Sequence, residues 1–157
     1  MKGLLGGWQT SGILLLQSGR PYSVLVTNRD YNNDTAFVDK PDAPSQKFGG
    51  WSRSDYIKGT FKVSDFPAPA PGREGNLGRS AYRGPGFANL DFSLIKNTRI
   101  PWFTHERAQM QLRGEVFNLT NRVNINNWDT NLANTTFGTA TSARDPRTIQ
   151  LGMRIVY

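Results

Sequence analysis

The sequence predicts an all-β, antiparallel fold, on three observations. Helical periodicity is weak along all 157 residues, whereas several segments alternate apolar and polar side chains with the period of two that marks a strand. Sixteen Gly and nine Pro supply many turns. The strand-like segments are joined by connections of very unequal length, one short and two long.

The first segment, residues 4–19 (LLGGWQTSGILLLQSG), is rich in apolar residues and interrupted by glycines. In the second, 87–97 (FANLDFSLIKN), Ala88, Leu90, Phe92 and Leu94 fall on one side and Asn89, Asp91 and Ser93 on the other. The third, 107–117 (RAQMQLRGEVF), sets Ala108, Met110, Leu112 and Val116 against Arg107, Gln109, Gln111, Arg113 and Glu115. The fourth, 147–157 (RTIQLGMRIVY), puts Ile149, Leu151, Met153, Ile155 and Tyr157 on every second position, with Gln150, Gly152 and Arg154 between. Successive strand side chains point to opposite sides, so each of the last three segments offers one apolar and one polar face. Each has about 9–11 residues, the length of a tilted transmembrane β-strand.

The connections agree with that length. TRIPWFTHE is a short turn between the second and third segments. An Asn- and Thr-rich stretch separates the third from the fourth, and roughly seventy residues separate the first from the second. Long structureless loops are unusual in compact soluble domains. In outer-membrane barrels, short periplasmic turns and long external loops are the rule. The expected fold is therefore a portion of an antiparallel transmembrane β-barrel, about four C-terminal strands with long external loops.

Composition removes several other classes. The longest apolar run, ILLL at 13–16, is far short of the roughly 20 residues of a membrane-spanning helix. The opening residues have no continuous apolar core of a signal peptide. Without cysteine there are no disulfides or thiolate metal sites. His105 is the single histidine, and carboxylates are not clustered at ligand spacing, so neither a metal site nor a cofactor is expected. No G-x-S-x-G elbow is present, and the glycines of GREGNLGRSAYRGPG at 72–86 fit neither the dinucleotide fingerprint nor the P-loop. The chain is not expected to be an enzyme. Its +7 charge comes from 19 scattered Lys and Arg without an aromatic-interleaved basic stripe, so nucleic acid is not an expected partner.

Three strings, GNLGRSAYRGPGFANLDFSLIKNTRI, LRGEVFNLTNRVN and FGTATSARDPRTIQLGMRIVY, resemble the C-terminal end of TonB-dependent outer-membrane receptors, especially the Oar-like group. The opening LLGGWQTSGILLLQSGRPYSV resembles the preceding strand and loop, and the likeness is loosest over residues 28–70. Thr120 departs from the family pattern, which often has an aromatic there. The resemblance implies that residues 1–157 are the C-terminal part of a transporter barrel, with signal peptide, TonB box and plug outside this sequence. It implies a bacterial outer-membrane location and active uptake of a scarce substrate such as a ferric siderophore or oligosaccharide. The implied partners are outer-membrane lipid, the barrel-assembly machinery and, through parts absent from the chain, the TonB complex.

Two residue sets follow. Ile149, Leu151, Met153, Ile155 and Tyr157 would face lipid and form the assembly signal. Asp91, Arg107, Arg113, Glu115 and Arg154 would face the lumen, either solvated or in contact with a plug. By strand parity TRIPWFTHE would be periplasmic, clustering Trp102 and Phe103 with Tyr157 at one membrane interface. The rival expectation is a soluble β-sandwich that binds carbohydrate or protein through its long loops, since a sandwich also alternates its faces.

Overall fold

Alternation of apolar and polar residues is realised in one four-stranded antiparallel sheet. The computed structural model describes residues 5–100 and 108–156. In chain order the strands are β1 (Trp8–Gln17), β2 (Pro21–Tyr22), β3 (Val26–Thr27), β4 (Val38–Asp39), β5 (Tyr82–Arg83), β6 (Phe87–Arg99), β7 (Gln109–Phe117), β8 (Ile125–Trp128), β9 (Ala140–Ala143) and β10 (Thr148–Val156). A helix, α1 (Arg53–Lys58), and a 3-10 turn at Val63–Asp65 lie between β4 and β5. Two compact units result: Met1–Leu16 with Ala88–Val123 and Asp145–Tyr157, and Gln17–Phe87 with Asn124–Arg144.

The first unit carries the sheet, in the order β1-β6-β7-β10. Its register aligns Phe92 with Val116 and Val116 with Ile149, Leu94 with Gly114 and Leu151, and Lys96 with Leu112 and Met153. Directly opposed residues share a face, so these rows form one side of the sheet. The intervening rows, Ser93–Glu115–Gln150 and Asn97–Gln111–Arg154, form the other. At the opposite edge the Asn97 N–H donates to the Gly7 carbonyl at 2.8 Å, and Lys96 Nζ lies 4.9 Å from the Trp8 ring centre. Trp8, Leu14 and Leu16 therefore continue the apolar side, and Gln9, Ser11 and Gln17 the polar one.

A soluble sheet covers its apolar side; this one leaves it open. Leu14, Leu16, Ile149, Leu151 and Met153 are all more than 60% exposed, and every residue of β1 and β10 is exposed. Among the described residues no further strand pairs with the outer edge of either. The sheet has the geometry of a wall segment, not of a closed barrel or half a sandwich.

The motif EVFNLTNR ends β7 as a latch. Asn118 and Asn121 adopt left-handed φ of 52° and 49°, which Asn tolerates better than most residues. The Asn118 amide donates to the carbonyls of Arg122 (3.0 Å) and Asp145 (3.3 Å), and its oxygen accepts from the Arg122 N–H (3.0 Å). Asn121 Oδ1 accepts from the Arg147 N–H at 3.3 Å, so the turn after β7 holds the approach to β10.

The two long connections are not extended loops. They form the second unit, around a core of Val24, Val26, Phe61, Phe66, Leu77, Tyr82, Leu132 and Phe137, with Tyr22, Tyr31, Phe48 and Trp51 packed against it. Phe61 is central: its ring centre lies 4.5 Å from Trp51, 4.9 Å from Tyr82 and 5.0 Å from Phe66. Short antiparallel pairs β2/β5, β3/β4 and β8/β9 frame this core. The capping box of Ser52 and Asp55 starts α1 by satisfying amide groups that the first turn leaves free. Leu25 joins the two connections, its N–H donating to Thr130 O (3.0 Å) and its carbonyl accepting from Leu132 N–H (2.9 Å).

Candidate functional site

The polar side of the sheet collects the charged residues expected to face a lumen. Asp91, Arg113, Glu115 and Arg154 share it by register and alternation. Arg113 and Glu115, two apart on β7, form an ion pair of 2.5 Å. With the guanidinium half exposed, the pair contributes less than about 1 kcal/mol. Asp91 Oδ1 accepts from the Asn89 amide (2.8 Å) and the Asn118 N–H (2.9 Å), tying β6 to the latch. Arg154 lies in register with Gln111, whose amide donates to Asn97 Oδ1 at 3.0 Å. A concavity of about 280 Å³ on this side is lined by Ser11, Ile13, Asp91, Ser93, Arg113 and Glu115.

Ile149, Leu151, Met153 and Ile155 of the expected assembly set lie together on the apolar side of the edge strand β10. Tyr157, Arg107, Trp102, Phe103 and His105 lie outside the described residues. Lys96, which the alternation leaves on the apolar side, is only 9% exposed; its ammonium donates to the Gly6 carbonyl and covers Trp8.

The second unit holds the remaining polar chemistry. Arg73 grips Asp42 with both terminal nitrogens (2.8 and 2.6 Å), and Asp42 also accepts from the Asn76 N–H. These contacts, Arg73 first, hold the Asp42 carboxyl below its ordinary range. Burial pushes Asp129 upward, but donors from Thr136, the Asn131 N–H and Asn134 outweigh it, and the carboxyl titrates low. Asp30 and Asp34 cap the backbone N–H groups of Asp34, Thr35 and Ala36, which is turn chemistry. Among the described residues no three His, Cys, Asp or Glu side chains gather as a metal site.

Cavities of about 490, 380 and 230 Å³ open in this unit. The first is lined by Val26, Arg29, Tyr31, Phe66 and Leu132 among others. The last is lined by Arg20, Tyr22, Asn126, Asn127, Trp128 and Thr130. Trp128 meets Tyr22 edge-on with ring centres 5.2 Å apart. It reaches this place because Gly84 has no side chain: a Cβ there would lie 2.1 Å from Cη2 of the indole. Burial, and then neighbouring Tyr56 and Tyr82, push the Tyr22 phenol far up, so it stays neutral. The sequence reading named none of these cavity residues; the one local signal is the pair of amides before the indole in NNW.

A family model described as an outer membrane beta barrel domain matches residues 1–150. No curated protein and no solved structure matches the chain.

Proposed function

The chain belongs to the outer membrane beta barrel domain family, and on that premise we propose that it is the C-terminal barrel part of a TonB-dependent receptor. The observation that carries the reading is the four-stranded sheet with its apolar side exposed and, among the described residues, both edges unpaired. In a bilayer an unpaired strand edge leaves backbone groups without partners at several kcal/mol each, so such a sheet is viable only as part of a closed wall. The outer-membrane assignment displaces the soluble sandwich. Sequence resemblance then narrows the barrel to the TonB-dependent class, with uptake of a scarce substrate such as a ferric siderophore or oligosaccharide.

In this reading the antiparallel order sends both long connections from the same end of the sheet, the external one, and the β6–β7 turn to the periplasm. The charged row of Asp91, Arg113, Glu115 and Arg154 faces the lumen, together with Arg107. The side bearing Ile149, Leu151, Met153 and Ile155 faces lipid, and with Tyr157 it is read by the barrel-assembly machinery through strand addition at an open edge. The chain has no catalytic role.

The full-length product, solubilised in detergent, is expected to retain the periplasmic domain of TonB. A product that migrates as an intact heat-modifiable barrel yet fails to retain TonB overturns the transporter reading and leaves the outer-membrane assignment standing.

A further inference from the structure

The cavity of about 230 Å³ in the second unit has the chemistry of a ligand site. Arg20, Asn126 and Asn127 line the same cavity, and their side chains make no hydrogen bond or ion pair within the described structure. Tyr22 and Trp128 supply an aromatic wall beside these donors. At about 230 Å³ the cavity is smaller than the roughly 300–1,000 Å³ of sites for drug-sized ligands, which limits an occupant to one ring.

We propose that this cavity binds a single acidic sugar ring, a hexuronate unit, with its carboxylate on Arg20, its hydroxyls on the Asn126 and Asn127 amides and its C–H face on the Trp128 and Tyr22 rings. The ring shape follows from the size and the aromatic wall, on which the C–H face of a sugar packs. Hydroxyls suit the amides, which both donate and accept. The carboxylate follows from charge: Arg20 is the one charged side chain in the lining, which contains no acidic residue, and the carboxylate of Asp129, between Trp128 and Thr130 in sequence, is taken up by Thr136, Asn134 and the Asn131 N–H. Gly84 is the positioning residue, because any side chain there displaces the indole.

The proposal deepens the uptake reading by naming a ligand class, and rests on it for the site's access to the cell exterior. Binding is measured on the detergent-solubilised full-length protein without TonB, so its failure is distinct from a failure to retain TonB. Isothermal titration with D-glucuronate is expected to give saturable binding, with D-glucose at least about tenfold weaker for want of a charge-assisted bond. Arg20→Gln is expected to reduce glucuronate to the glucose level. Trp128→Ala, which removes the aromatic wall, should weaken both sugars by roughly tenfold. Asn127→Ala, at an exposed and unbonded side chain, guards against misfolding and should weaken both sugars alike. Absence of binding to folded protein overturns the proposal. So does equal affinity for glucose, full competition by acetate, or glucuronate binding that survives both Arg20→Gln and Trp128→Ala.

Discussion

Lys96 is the residue at which the apolar side of the sheet stops being uniformly apolar. It shares a row with Leu112 and Met153, yet its ammonium leaves that row for the Gly6 carbonyl and the face of Trp8. A long aliphatic stem with a polar head is suited to a membrane boundary, and an indole beside it is the usual companion there. The next row, Leu94–Gly114–Leu151, lies deeper in the apolar band. Leu151→Arg is therefore expected to cost about 2–4 kcal/mol, the midplane range, and Gln150→Arg on the other side far less. Folding titrations into lipid vesicles measure both, and equal costs would show that the two sides have been exchanged. Alternation alone marked positions 149–155 and 110–116, because Ile, Leu, Met and Val each report their side by type. It could not mark Lys96, whose side depends on where its head finds oxygen, nor Ile13 and Ile95, which line the polar concavity although their type suggests lipid.

Among the elements, the latch after β7 is the most sensitive to single changes. Asn118→Ala removes three side-chain hydrogen bonds and puts a Cβ without polar compensation at φ 52°, an expected loss of about 2–4 kcal/mol. Asn118→Gly loses the same bonds without the steric cost and should be about 1 kcal/mol less damaging. Urea unfolding of the barrel in detergent ranks the two. The connections have a pH dependence of their own. Asp42 is held low by Arg73 and the Asn76 N–H, so its folded value lies below the unfolded one near 3.9. Its stabilisation is present above that value and disappears as pH falls through the folded one. Emission from Trp51 and Trp128 should change cooperatively on acidification below about pH 4, and Asp42→Asn should flatten the dependence. All four sheet strands were legible in the sequence, the third beginning at Gln109 where alternation suggested 107. The second unit was not. Phe48, Trp51, Phe61, Phe66 and Tyr82 recur with neither helical nor strand period, since their packing is set by turns and by glycines at close approaches, Gly75 against the Lys40 and Pro41 backbone and Gly84 against the Trp128 ring.

For the molecule as a whole, β10 leaves an edge that only another strand can satisfy. Deleting Tyr157 from the full-length protein is expected to lower the amount of heat-modifiable barrel in the outer membrane, while Arg154→Gln leaves it near wild type. Normal assembly of the deletion would reduce Tyr157 to an interfacial anchor. The second unit has a consequence of a different kind. Val24, Val26, Phe61 and Tyr82 of its core come from the connection before β6, whereas Leu132 and Phe137 come from the one after β7. Thr27 and Asn131 bond to each other across that division in both directions, at 3.1 and 2.7 Å. The first connection therefore has to wait, during synthesis and export, for a partner of Thr27 that lies 104 residues downstream before the core is complete. Once closed, the unit staples together two stretches of chain that need no longer be covalently continuous. A protease site placed between β6 and β7 of the full-length protein and then cut should leave two pieces that co-purify under native conditions and separate only on denaturation; spontaneous separation would show that the staple does not hold.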